Sequence, residues 1–235
     1  MIYDAWTDIG AGLVEYWSKA ANLVVHFAPN SKLTKNTNLD RDDVKLLFYP
    51  TNTNTYYSTQ TKDLDFSFVG TIGHFLRPLY LSFVLREQAH LSNREFCVRT
   101  HNFEQSRAFG GEEYSEVIRR SRISLNFSSR FVGNFETKVL TGRIWQAMFS
   151  GAMLLEEDNE PIRHFFVPYV HYVPFRNVGE LLTLLQFFCL ENDYCNAIAS
   201  NALKYCNQHF LPEIFWGKVA EALFGERSVR LVGAV

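Results

Sequence analysis

Arg143, Gln146 and Ser150 recur at three- and four-residue spacing, so on a helix Arg143 and Gln146 point together. A guanidinium beside an amide suits a phosphorylated, hydroxyl-rich ligand. The first grips phosphate oxygens in pairs, and the second exchanges hydrogen bonds with hydroxyls. Leu140, Ile144, Ala147 and Met148 supply an apolar face at the same period, which predicts a helix through this stretch. Val139, one turn before Arg143, is apolar, so the polar stripe is short. Gly151 stands where a left-handed residue ends a helix, and Ala152 to Leu155 then read as a short parallel strand buried on both faces.

The elements that must position this face alternate regularly from Asp63 onward. Strand Phe66 to Val69 leads through Gly70 and Thr71 to a helix near Leu76 to Leu91, with Pro78 in its first turn, where a missing N–H is harmless. Strand Phe96 to Arg99 precedes a polar loop ending at Gly110 and Gly111, and Glu112 and Glu113 open the next helix at its favourable anionic end. Strand Ile123 to Phe127, the Arg143 helix, strand Ala152 to Leu155, a short helix near Pro161 to Phe166 and strand His171 to Val173 follow. Helices at Gly179 to Leu190, Tyr194 to His209 and Pro212 to Phe224 complete the series. Such alternation predicts an α/β fold, a Rossmann-like doubly wound parallel sheet with helices on both faces. Ligands of such sheets sit at the carboxyl ends of the strands, which is where Gly70 and Thr71 fall.

Composition narrows the function. The 235 residues are 47% hydrophobic and 15% aromatic, enough for a sizeable core, and the formal net charge of −2 implies no general attraction to nucleic acid or anionic membrane. Basic residues nevertheless crowd between Arg119 and Arg143, with Arg120, Arg122, Arg130 and Lys138 between them. Cys97, Cys189, Cys195 and Cys206 have no metal-ligand spacing, so reduced thiols in a cytoplasmic protein are expected. The first residues lack the pattern of a signal peptide, and no stretch reaches the length of a membrane span.

Five pieces in order carry a resemblance: the aspartate-led strand ending in glycine at 65–70, the helix and strand over 113–127, Gly142 with Arg143, the Gly151 to Glu156 strand, and Val178 to Leu182. In that spacing the chain resembles the donor-binding C-terminal half of GT-B glycosyltransferases of the group 1-like kind, in particular the group related to the spore-maturation glycosyltransferases. The resemblance runs from about Asp63 to about Lys218. It implies three parts: residues 1–30 as a truncated β-α-β remnant of an N-terminal acceptor domain, 31–62 as a crossover linker, and 63–235 as the nucleotide-sugar donor domain. The implied activity is metal-independent transfer of a hexose from a nucleotide-diphosphate sugar, with uridine or guanosine as the base. This sugar nucleotide is a co-substrate, and no cofactor is expected. The acceptor is a glycan, protein or lipid left unnamed, and a partner chain supplying the N-terminal domain is implied. The alternative is a catalytically inactive nucleotide-sugar-binding or interaction module, a fragment or half of a split enzyme.

The site residues that follow from the resemblance each have a plainer reading. Gly70 and Thr71 either let backbone N–H groups approach a phosphate or simply turn the chain into the next helix. Arg77 reaches the same anion or lies exposed. Arg143 grips the diphosphate and neutralises the leaving group, or makes a surface salt bridge. Lys138, near the helix entrance, shares that role. Gln146 stands where many GT-B enzymes hold a ribose-binding glutamate, and Lys138 stands eight positions earlier, where some hold a second glutamate. Tyr114 and Asn126 line the nucleotide pocket, or are a core tyrosine and a turn asparagine. The spacing of Asp63 and Asp65 resembles a metal-binding pair but leads into a strand instead of following one, at the wrong end of the sheet. A nicotinamide site is excluded because Gly70 to Gly73 lack the required glycine spacing and the next strand ends without an acidic residue.

Overall fold

The computed structural model describes residues 22–27, 44–72, 76–91, 93–101, 111–132 and 135–225. The first strand and the helix of the β-α-β remnant expected over 1–30, and most of the polar loop before Gly111, lie outside them. Three strands set the geometry. β3 (Leu64–Thr71), β5 (Ser121–Asn126) and β8 (Met153–Glu157) are flanked by β4 (Phe96–His101) and β9 (Val173–Phe175), and all five run parallel in the order β4-β3-β5-β8-β9. The doubly wound parallel sheet expected from the sequence is thus present. From β3 the chain first adds β4 on one side and then β5, β8 and β9 on the other, so the strand order reverses between β3 and β5. That switch point opens a crevice at the strand ends.

Residues on opposite strand faces divide the core in two. Phe66, Phe68, Ile123, Leu125, Met153 and Leu155 point to one side, where Leu81 and Val84 of α1 (Leu76–Gln88) and Leu181 and Leu185 of α4 (Val178–Leu190) cover them. The other side receives α2 (Gly111–Arg120), α3 (Arg143–Phe149) and α5 (Asn192–His209). Trp145, fully buried there, packs near Phe165, Phe166 and Phe210. Helix α6 (Pro212–Phe224) closes this cluster with Phe215.

The parallel pair β1 (Val24–His26) and β2 (Val44–Leu46) joins the same cluster. Leu23, Val25, Phe27, Leu47 and Phe48 are buried with it, so the stretch read as a linker also packs. Phe27 stacks on Tyr49 at 4.3 Å, and Phe48 meets Phe210 edge-on at 4.9 Å. Lower down the same strap, the ammonium of half-buried Lys62 donates to Arg119 O at 2.7 Å and to Ser150 O. It thereby ties the C-terminal ends of α2 and α3, where orphan carbonyls need donors. Burial pulls this lysine down to about 8.

Several local expectations are corrected. Helix α3 starts at Arg143 instead of near Leu140, and Ser150 is its buried C-cap and not part of an exposed stripe. Between β5 and α3 an unexpected antiparallel hairpin appears, β6 (Ser129–Val132) and β7 (Phe135–Lys138). The predicted short helix is a 3₁₀ turn, Glu160–His164, and β9 begins two residues later than expected. Gly151 does adopt the left-handed conformation expected of it, with φ +67°. Among the described residues no helix is long and apolar enough to cross a membrane.

Candidate functional site

The switch point is occupied by one guanidinium. Arg143 is the first residue of α3, and its side chain reaches across the ends of β3 and β5. Its Nη2 donates to Val69 O at 2.5 Å, its Nη1 to Asn126 Oδ1 at 3.1 Å and its Nε to Tyr114 Oη at 3.0 Å. Three of its five N–H donors are so committed, all to neutral acceptors, and two remain by count. The guanidinium also lies over the Phe68 and Tyr114 rings, at 5.4 and 5.9 Å from their centroids.

Gly70 permits this placement. A Cβ built there would lie 2.9 Å from Arg143 Nη2 and 3.1 Å from Phe68 Cζ. The room that the missing side chain leaves is filled by the arginine. Tyr114, from α2, uses its hydroxyl twice, accepting from Arg143 and donating to Gln146 Oε1 at 3.1 Å. Arg143 and Gln146 are therefore brought together, one turn apart, through a shared tyrosine. One of the two lone pairs of the Gln146 oxygen is engaged in this way.

Asn126, at the end of β5, is buried and fully oriented. Its Nδ2 donates to Thr141 Oγ1 at 3.1 Å and to Glu156 Oε2 at 2.8 Å, which turns its oxygen toward Arg143. Asn126 and Glu156 are direct partners in the register of β5 and β8. Glu156 is a site neighbour that the sequence does not point to, and no local signal marks it. It follows four apolar residues and precedes two more acids, and its burial is a property of the register.

The remaining expected residues form a neighbouring group. Arg77, in the first turn of α1, donates to Thr71 O at 3.3 Å and Thr71 Oγ1 at 3.4 Å, and to Phe127 O and Ser129 O at 3.3 and 3.0 Å. It clamps the carbonyl ends of the β3 and β5 strands. Lys138 is not at a helix entrance; it ends β7, where its ammonium lies 2.8 Å from Glu157 Oε1 and donates to Ser129 Oγ. Glu157 also accepts from Ser129 N at 2.8 Å, and these contacts hold its carboxyl below the usual range despite burial. The site thus brings together Gly70, Tyr114, Asn126, Arg143 and Gln146, places Thr71 and Arg77 beside them, and ties Lys138 to a carboxylate.

Charge pairing separates Arg143 from its basic neighbours in sequence. Arg119 pairs with Glu112 at 2.6 Å, Arg120 with Asp63 at 2.5 Å, and Arg122 with Asp65 at 2.6 Å. With Lys138 paired to Glu157, Arg143 is the one member of that run, among those with described side chains, that faces no carboxylate. Asp63 and Asp65 themselves sit at the amino end of the sheet, held by arginines. That leaves a half-buried guanidinium, in no ion pair among the described residues, at a strand-end crevice.

The family model described as "Glycosyl transferase-like" matches residues 59–224. The chain belongs to this glycosyl transferase-like family. Comparison with curated proteins finds no significant match. Among solved structures, HepE from Anabaena in complex with UDP and glucose superposes with a TM-score of 0.64 at 12% identity, over 94% of this chain and 71% of that one. Sucrose-phosphate synthase from Thermosynechococcus elongatus gives 0.61 at 13% identity, over 97% of this chain and 63% of the other. The C-terminal domain of the glycosyl transferase group 1 family protein LpcC from Francisella tularensis gives 0.53 at 9% identity, over 68% and 98%. At these identities the likeness concerns the fold, which is that of the C-terminal half of a GT-B glycosyltransferase.

Proposed function

We propose that this chain binds a nucleoside-diphosphate sugar at the β3–β5 switch point and serves transfer of its hexose to an acceptor. The observation that carries the reading is the uncompensated guanidinium of Arg143, fixed by three neutral acceptors over Gly70. On this reading its two remaining N–H donors grip the diphosphate. They are stronger partners for the leaving group than for the intact sugar nucleotide, because negative charge grows on the β-phosphate as the glycosidic bond breaks. A guanidinium already held in place needs no reorganisation at that moment. Gln146 and Thr71 offer hydroxyl- and amide-type partners to the ribose and phosphates, and Arg77 adds positive potential beside them. Leaving-group charge is met by side chains, without a metal.

HepE, of the same fold, is described with UDP and glucose, which favours a uridine diphosphate sugar as the first donor to test. Thermal-shift measurements with UDP, GDP and ADP check the reading, since a ligand that binds only the folded state raises the melting temperature. UDP is expected to stabilise, with EDTA leaving the shift unchanged. No shift with any of the three at millimolar concentration would contradict it.

A second reading, binding without transfer by this chain alone, is favoured by one observation: the chain spans 71% of HepE and 63% of sucrose-phosphate synthase. On that reading the acceptor site lies in residues outside this sequence, whether of a longer chain or of a partner. UDP binding with no release of UDP from UDP-glucose, restored when those residues are supplied, distinguishes the two.

A further inference from the structure

Glu156 lies directly behind Asn126 and is the one Asp or Glu among the described residues with no exposed surface. Its Oε2 accepts from Asn126 Nδ2, and its Oε1 has no donor. Asn159, in the turn after β8, is a hydrogen-bonding neighbour of the same carboxyl. Its Nδ2 donates to Val139 O at 3.0 Å, and its Oδ1 likewise has no donor. A carboxylate oxygen buried with no donor is costly as an anion, and a proton carried on Oε1 removes that cost.

The surroundings agree. Burial pushes the carboxyl up to about 8, and the nearby charge of Glu157 adds to it; the hydrogen bonds of Asn126 and Asn159 and the charge of Arg143 oppose it and lose. Tyr172, just before β9, is the other titratable group that faces it, and Glu156 acts on that phenol in turn. The state of this carboxyl bears on Arg143 directly. An ionised Glu156 would supply, through Asn126, the counter-charge that Arg143 otherwise lacks.

We propose that Glu156 is a positioning residue acting as a neutral acid: its buried Oε1 carries the proton, its other oxygen holds the Asn126 amide, and Asn126 so fixed aims Arg143 at a nucleoside diphosphate while leaving the guanidinium's charge to the ligand. The positioning role rests on the nucleotide reading above, whereas the proton does not.

Both parts are tested with the whole chain and two variants, Glu156→Gln and Glu156→Ala. A carboxyl whose folded value lies above its ordinary 4.5 holds an extra proton in the native state between about pH 4.5 and about pH 8. Stability from that proton is fully present below the lower value and is lost as pH rises through the upper. The melting temperature of Glu156→Gln, which cannot ionise, should therefore gain steadily on wild type from about pH 5 to about pH 8. A difference that does not change with pH means an ionised Glu156 and overturns the neutral acid.

Calorimetry with UDP tests the positioning. Glu156→Ala should bind weakly, and Glu156→Gln should restore wild-type affinity at about pH 6. Wild type should then fall behind the Gln variant by roughly tenfold by about pH 9, as the charge appears behind Arg143. A Gln variant as weak as the Ala variant at the lower pH shows that the negative charge itself is needed, and refutes the proposal. If wild type binds no UDP at any pH, the positioning role falls together with the nucleotide reading, while the melting series still decides the proton.

Discussion

Gly70→Ala isolates the geometry of the site from its chemistry. The added methyl would lie 2.9 Å from Arg143 Nη2, 3.4 Å from Nη1 and 3.1 Å from Phe68 Cζ. Comfortable heavy-atom separations are about 3.5–4.0 Å, so the guanidinium must retreat by roughly half an ångström or more. The cost to folding is small, because the atoms in the way end a flexible side chain. Overpacking at the low end of about 1–3 kcal/mol is partly offset by the roughly 0.5–1 kcal/mol gained by replacing glycine within a strand. Net stability should change by no more than about 1 kcal/mol. The ligand should feel much more. Retreat breaks the bond to Val69 O and misaims the remaining N–H donors, and a hydrogen bond to a charged group is worth about 1.5–3 kcal/mol, or roughly 10- to 150-fold in affinity. Urea denaturation and calorimetry with UDP measure the two quantities. Gly111→Ala, where a methyl would meet nothing within 4 Å, is the control. Unchanged UDP affinity in Gly70→Ala would refute the placement of Arg143, and a large loss of stability would assign the glycine to strand packing instead.

Three further outcomes are expected. Tyr114→Phe removes the hydroxyl shared by Arg143 and Gln146, and should weaken UDP by about 0.5–1.5 kcal/mol in calorimetry with the fold intact. Lys62→Met leaves the carbonyl of Ser150 without its donor and that of Arg119 with the Thr59 hydroxyl alone, and should lower stability in urea melts by about 1–3 kcal/mol. Gly217→Ala, within α6 and with open space around the new methyl, should raise stability by about 0.5–1 kcal/mol and leave UDP affinity unchanged.

Much of this site is legible in the amino-acid sequence, for a physical reason. Strand ends and helix starts are marked by local signals, and a switch-point site is made of strand ends and helix starts. Gly70, Asn126, Tyr114 and Arg143 fall at such positions one by one, and the regular alternation of strands and helices brings them to one edge. Spacing alone also joins Arg143 to Gln146, although the helix that carries them is a turn shorter than its apolar period suggests. Lys138 falls elsewhere than expected because the hairpin β6–β7 intervenes ahead of α3. Gly133 and Asn134 between Val132 and Phe135 are a two-residue turn signal that marks it. Glu156 is a different case. Its partner Asn126 is thirty positions away, and only the pairing of β5 with β8 puts the two side by side. No one-dimensional pattern separates a glutamate that ends a strand in solvent from one that ends it against an asparagine. The packing of Phe48 and Phe27 against α6 is long-range in the same sense.

The most direct test compares wild type with Arg143→Ala in calorimetric titrations of UDP and of uridine. If Arg143 holds the diphosphate, the variant should lose about 1.5–3 kcal/mol of UDP affinity, roughly 10- to 150-fold, with uridine binding and the melting temperature essentially unchanged. Equal losses for UDP and uridine, or none for either, would contradict the central claim that this guanidinium is the anchor of the donor's phosphates.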